Sequence, residues 1–76
     1  MKRLVETIVR RLCDDPAQAR ITEGFEGKTL VYDVDVPEND RGRLIGREGR
    51  TIRALRAFVA AAGAAQGKRV LIRVRD

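Results

Sequence analysis

Arg43-Leu44-Ile45-Gly46-Arg47-Glu48-Gly49-Arg50-Thr51-Ile52 is the stretch on which the reading of this chain turns. An apolar pair precedes two glycines that frame two charged residues, and a basic residue then opens an amphipathic pattern. Glycines three positions apart let a backbone turn sharply and leave its N–H groups uncovered by Cβ atoms. Directly ahead of a helix, those N–H groups point where the helix dipole also favours negative charge. Arg43, Arg47 and Arg50 ring the turn with cations, so the local chemistry is that of a phosphate holder.

Outward from this turn the chain reads as alternating helices and strands. Ile52, Leu55, Val59 and Ala62 make an apolar stripe at helical spacing, which predicts a helix from Arg50 to about Ala62, broken by Gly63 to Gly67. Upstream, Asn39 or Asp40 is expected to cap a short helix running to about Ile45. Pro37 closes a strand over 28–36, in which Leu30, Tyr32, Val34 and Val36 point one way and Val31, Asp33 and Asp35 the other. A partner strand over 19–25 joins it through a tight turn at Glu26-Gly27. Val5, Ile8, Val9 and Leu12 predict a first helix over 3–13, with Lys2, Glu6, Arg10 and Arg11 outside. Asp14-Asp15-Pro16 ends it, because the residue before proline is pushed out of the α region. Val70, Ile72 and Val74 alternate with Leu71, Arg73 and Arg75 in a last strand. The order is α-β-β-α-α-β: an α+β fold, a three-stranded mixed sheet packed on three helices, in a single domain over 1–76. The chain carries no linker, repeat or low-complexity tract.

Charge is distributed unevenly. The net charge of +5 combines residues 1–40, with six Lys/Arg against nine Asp/Glu, and residues 41–76, with ten against two. A basic half beside an acidic half implies one cationic face and a polyanionic partner. Enzymatic chemistry is poorly supplied. With no His, the commonest general base and metal ligand is missing. Cys13 is the sole thiol, so neither a disulfide nor a cysteine-clustered zinc site forms within one chain; it reads as a partly buried structural thiol. Asp14-Asp15 at a helix end and Asp33/Asp35 along a strand read as solvated surface rather than paired catalytic carboxylates. No catalytic residues, metal or cofactor are therefore expected. No run approaches the ~20 apolar residues of a membrane span, and no signal-peptide pattern opens the chain, so a cytoplasmic setting is expected.

Leu44-Ile45-Gly46-Arg47-Glu48-Gly49-Arg50-Thr51-Ile52 resembles the signature of the KH domain, an apolar-Ile-Gly-x-x-Gly-x-x-Ile pattern. A helix and strand ahead of a β-α-α-β core resemble the prokaryotic type II arrangement. The resemblance runs the whole length, extends to the bacterial single-KH-domain RNA-binding proteins of the KhpA type, and leaves nothing over for a second domain. Other glycine motifs fit less well. A P-loop needs four residues between its glycines and then Gly-Lys-Ser/Thr, whereas Gly49-Arg50-Thr51 has neither the spacing nor the lysine. A dinucleotide fingerprint would need glycine at position 44, which is Leu. A helix-turn-helix reads DNA with polar residues along its second helix, and here that helix turns alanine-rich after Arg56.

The resemblance implies a loop that clamps about four backbone nucleotides of a single strand. Gly46 and Gly49 permit close approach, Arg47 and Arg50 meet phosphates, and Arg43 and Arg53 contribute from outside, with Gly42 and Thr51 counted in the same RNA-binding set. It also implies a groove between the first core helix and the sheet edge, with bases on an aliphatic floor. Ile45 and Ile52 are candidates for that floor or are plain core. Lys68 and Arg69, between the last helix and last strand, either reach a phosphate or are ordinary exposed cations. Glu48 departs from the usual basic or polar loop; it pairs with Arg47 or Arg50, or accepts a hydrogen bond from a base. Tyr32, Phe25 and Phe58 all lie outside the loop, so affinity rests on phosphates and small apolar contacts, which suits an RNA chaperone or regulator. Ala54, Ala57, Phe58 and Ala61 leave a second apolar strip on the long helix and predict a homodimer through it. The family resemblance adds a larger KH-containing protein of the Jag type as a further partner. A protein-interaction module with RNA binding secondary is the alternative function.

Overall fold

The computed structural model describes residues 1–75. Helix α1 spans Lys2–Leu12, strands β1 and β2 span Arg20–Glu26 and Thr29–Asp35, helices α2 and α3 span Glu38–Ile45 and Arg50–Ala65, and strand β3 spans Arg69–Val74. Single 3-10 turns at Pro16–Gln18 and Arg47–Gly49 complete the order. The fold is α+β with the α-β-β-α-α-β order of a type II KH arrangement, and each expected element is present within a few residues of its expected bounds.

The sheet order is β1-β2-β3, with β2 antiparallel to β1 and parallel to β3. Leu30, Tyr32 and Val34 of β2 share one face with Ile21 of β1 and Ile72 of β3, and this face is covered by the helices. Val5 and Val9 of α1, Leu44 of α2, and Ile52, Leu55 and Val59 of α3 close the core over it. Tyr32 is wholly buried and donates its hydroxyl to Glu23 Oε1 at 2.7 Å, so its one polar atom is satisfied.

Three local expectations are corrected. Neither Asn39 nor Asp40 caps α2: Pro37 stands at its N-cap, without a side-chain cap. Asp40 instead lies inside the helix, fully buried, and its carboxylate accepts the N–H groups of Asp14 (2.7 Å) and Asp15 (3.1 Å). The acidic side chain thus satisfies orphan donors at the exit of α1 rather than those of its own helix.

Gly63 does not break α3. The helix continues to Ala65 and ends in a Schellman arrangement, with Lys68 N–H donating to Gly63 O (2.8 Å), Gly67 N–H to Ala64 O (2.9 Å), and Gly67 at φ 70°. Gly63 is buried, because a Cβ there would come within 2.5 Å of Val70 Cγ2. Its missing side chain lets β3 pack against the helix, so the inward stripe is Ile52, Leu55, Val59 and Gly63, with Ala62 only half-buried.

Val31, assigned to the outer face with Asp33 and Asp35, is 98 % shielded, at 2 % exposure. Its cross-strand neighbours are Gly24 and Leu71. Arg73 of β3 reaches Glu26 of β1 at 2.7 Å, with Asp33 at 3.9 Å. That ion pair joins β3 to β1 across the middle strand, on the face that carries Asp33.

Candidate nucleic-acid interface

The turn between α2 and α3 is held by backbone geometry that glycine alone supplies easily. Gly46 ends α2 at φ 78°, ψ 171°, and Gly49 precedes α3 at φ 72°, ψ 17°. Gly46 N–H closes on Gly42 O at 2.9 Å, and Gly49 N–H on Gly46 O at 3.1 Å. A Cβ on Gly46 would overlap the side chain of Thr51, whereas one on Gly49 would meet open space. Gly46 is therefore required twice over, by its φ and by Thr51. Glu48 also sits at positive φ, 56°, the only non-glycine so placed among the described residues.

This turn delivers the chain to α3 with no side-chain cap and no acidic residue in the helix's first turn. The leading N–H groups of a sixteen-residue helix, with the positive end of its dipole, thus face the turn without an internal anion. Around them the arginines are differently occupied. Arg47 is exposed and makes no ion pair among the described residues. Arg50 stands 3.5 Å from the Glu48 carboxylate, which settles that residue's partner within the chain. Arg53 folds back along the helix and donates to Gly49 O (3.3 Å) and Glu48 O (2.5 Å), bracing the turn from below. Arg43 is drawn away to Asp14 at 3.0 Å.

Of the remaining candidates, Ile52 is core, 6 % exposed, and Ile45 is half-buried against the core. Thr51 is half-buried against Gly46. Lys68 and Arg69 are exposed at the opposite end of α3, about 24 Å from Arg50 at 1.5 Å per residue, and do not join the turn. Cys13 is half-buried; burial and then the carboxylates of Asp40, Asp14 and Asp15 push its thiol above the usual range, which disfavours the reactive thiolate.

Two residues escaped the sequence reading. Arg56, one turn beyond Arg53, donates Nε–H to Ile72 O at 3.3 Å on the outer side of β3. Its signal was the spacing of Arg50, Arg53 and Arg56, which repeats every three residues along one side of a helix. Arg41 carries an enclosed Nε with no hydrogen-bond partner among the described residues, one turn before Ile45; nothing in its sequence context marks it.

A second feature lies on the far side of α3. Ile8 and Leu12 of α1 and Thr51, Ala54, Leu55 and Phe58 of α3 line an apolar depression of about 380 Å³. Phe58 is 52 % exposed there, and Ala57 and Ala61 extend the exposed strip.

The family profile described as KhpA/KhpB, KH domain matches residues 2–74. This chain belongs to the KhpA/KhpB KH-domain family. Curated relatives in that family are similar along their whole length. The RNA-binding protein KhpA of Halalkalibacterium halodurans is 41 % identical over 76 residues, covering all of both chains. That of Aquifex aeolicus is 36 % identical over 76 residues, all of this chain and 96 % of its own. That of Clostridium acetobutylicum is 32 % identical over 74 residues, 97 % of this chain and 99 % of its own. No solved structure matches the chain. Within the KhpA/KhpB frame, Gly46-Arg47-Glu48-Gly49 is the turn between the two core helices. No described helix is long and apolar enough to cross a membrane, and no cluster of metal-ligating side chains forms among the described residues.

Proposed function

We propose that this chain is a non-catalytic, cytoplasmic RNA-binding protein that clamps short single-stranded RNA through Gly46-Arg47-Glu48-Gly49, acting as an RNA chaperone or post-transcriptional regulator. The observation that carries this is the uncapped N-terminus of α3, opened by two positive-φ glycines and flanked by Arg47 and Arg50. Phosphates supply the charge such a site lacks. The names of the curated relatives support RNA as the polymer. Tyr32 is buried, Phe25 lies in β1 and Phe58 lines the depression shared with α1, so none of the three rings belongs to the turn itself, and a low-specificity clamp fits better than a stringent reader. Arg47→Asp tests it. Two carboxylates would then sit where phosphates must, at a cost of about 2–3 kcal/mol, enough to erase a weak complex. The turn is exposed, so the melting temperature should barely move. Undiminished binding of a single-stranded RNA by the folded variant refutes the assignment.

The apolar depression supports the homodimer as part of this reading. Ala54, Ala57, Phe58 and Ala61 line one face of α3, and Ile8 and Leu12 widen it to two helices. A chain of 76 residues gains from covering such a face. Light scattering at tens of micromolar should give a dimer for the native chain and a folded monomer for Phe58→Glu. A native monomer ends the homodimer and leaves a larger KH-containing protein of the Jag type as the partner to seek. Saturable dimerisation with no RNA binding at moderate salt would favour an interaction module instead.

A further inference from the structure

The cations beyond the end of α3 stand apart from the turn, and the fold gathers them with the chain's most exposed large apolar side chain. β1 and β2 meet at Gly27-Lys28, and β3 starts beside that tip, because Thr29 of β2 is paired with Glu26 on one side and Arg69 on the other. Lys28 and Lys68 each precede the Thr29–Arg69 pair by one residue, so three cations from two distant segments share the base of the sheet. Lys28, Lys68 and Arg69 are exposed and make no ion pair among the described residues. The acid of this tip, Glu26, is held by Arg73 at 2.7 Å.

Phe25 completes the group. It is paired with Leu30 and so shares the helix-facing side, yet Leu30 is 4 % exposed and Phe25 71 %, so the cover of the helices ends between them. A ring left this far in water adds little to the core and keeps its π-face free. An open ring beside unpaired cations is the combination that holds single strands without sequence preference. A base stacks on the ring and the flanking phosphates take the cations. Arg47 and Arg50 stand at the start of α3 and this corner lies past its end, about 24 Å away at 1.5 Å per residue. A strand stacked at about 3.4 Å per nucleotide crosses that distance with roughly seven nucleotides. One strand longer than the turn's own four can therefore engage both sites, and the second engagement gains from effective concentration.

Resting on the RNA-binding reading above, we propose that Phe25, Lys28, Lys68 and Arg69 form a second, sequence-tolerant site for single-stranded RNA at the base of the sheet. The test is fluorescence anisotropy with labelled oligouridines of about five and about fifteen nucleotides, the first filling the turn alone and the second reaching both ends of α3. Phe25→Ala should weaken binding of the long strand at least about fivefold and leave the short one unchanged. Phe25→Tyr keeps a ring and should hold the native affinity. Joint replacement Lys68→Ala and Arg69→Ala should flatten the salt slope for the long strand by about 1.4, the share of two phosphates. All three positions are exposed, so the melting temperature should hold. A folded Phe25→Ala chain that binds the long strand as the native chain does, or loses as much on the short strand, overturns this inference and leaves the turn in place. So does an unchanged slope in the double variant. A native chain that binds neither length overturns the RNA-binding reading and this inference with it.

Discussion

At the scale of single residues, the site's acidic groups decide how strongly its cations act. Glu48 holds Arg50 at 3.5 Å and sits strained at φ 56°. Asparagine tolerates that backbone region and carries no charge. Glu48→Asn should therefore tighten RNA binding about fivefold, the effect of removing a like charge some 4 Å from a phosphate in water. The melting temperature should not fall; weaker binding in a titration would assign the carboxylate to a base contact. Asp14 restrains Arg43 by an exposed pair worth about 0.2–1 kcal/mol. Asp14→Asn should raise affinity up to about fivefold and steepen the salt slope by about 0.7 as Arg43 takes up a phosphate. An unchanged slope would remove Arg43 from the contact set. Tyr32 behaves differently. Burial, and then its bond to Glu23, hold its hydroxyl well above the ordinary value near 10. In the unfolded chain the phenol ionises near pH 10 while the folded one stays protonated, so its contribution is intact below pH 10 and lost as pH rises beyond. Thermal melts should fall above pH 10 in the native chain and fall less in Tyr32→Phe.

At the scale of elements, the turn and the helix ends carry different tolerances. Gly46 combines φ 78° and ψ 171° with Thr51 against its missing Cβ, while Gly49 is limited by its φ alone. Gly46→Ala should cost about 1–3 kcal/mol from its backbone region plus the clash, and Gly49→Ala about 1–2 kcal/mol. Denaturant melts should rank Gly46→Ala clearly below Gly49→Ala; the reverse order would mean that Thr51 yields freely. Asp40 joins elements rather than capping one, since its two acceptor oxygens tie the exit of α1 to α2. Asp40→Ala leaves two backbone donors without that partner and should cost on the order of 3 kcal/mol, read as a lower urea midpoint.

At the scale of the whole molecule, the cations of residues 41–76 are split by α3. Arg47, Arg50 and Arg53 gather at its start, whereas Lys68 and Arg69 stand beyond its end. With about three phosphates neutralised on a single strand, log K should fall against log salt with a slope near −2. Affinity should then drop roughly tenfold to twentyfold between about 50 and 200 mM salt. A slope several times steeper, or tighter binding to duplex DNA, would mark a different mode of recognition.

Element order, the sheet's helix-facing side and the glycine-framed turn between α2 and α3 were legible in the chain because each rests on local periodicity or on glycine spacing. The alternation of Leu30, Tyr32, Val34 and Val36 and the stripe of Ile52, Leu55 and Val59 sufficed to assign their faces. Tertiary structure decided what depends on a partner distant in sequence. Gly63 reads as a helix breaker until β3 supplies Val70 against its face. Asp40 reads as a cap until the exit of α1 offers two N–H groups from 25 and 26 residues away. Val31 reads as solvent-facing until β1 and β3 flank it, Arg73 finds Glu26 from 47 positions away, and Arg56 meets a strand edge that exists only once β3 has docked. Period and turn chemistry are properties of neighbouring residues, whereas a buried polar contact or a helix–strand approach is a property of two segments brought together by folding.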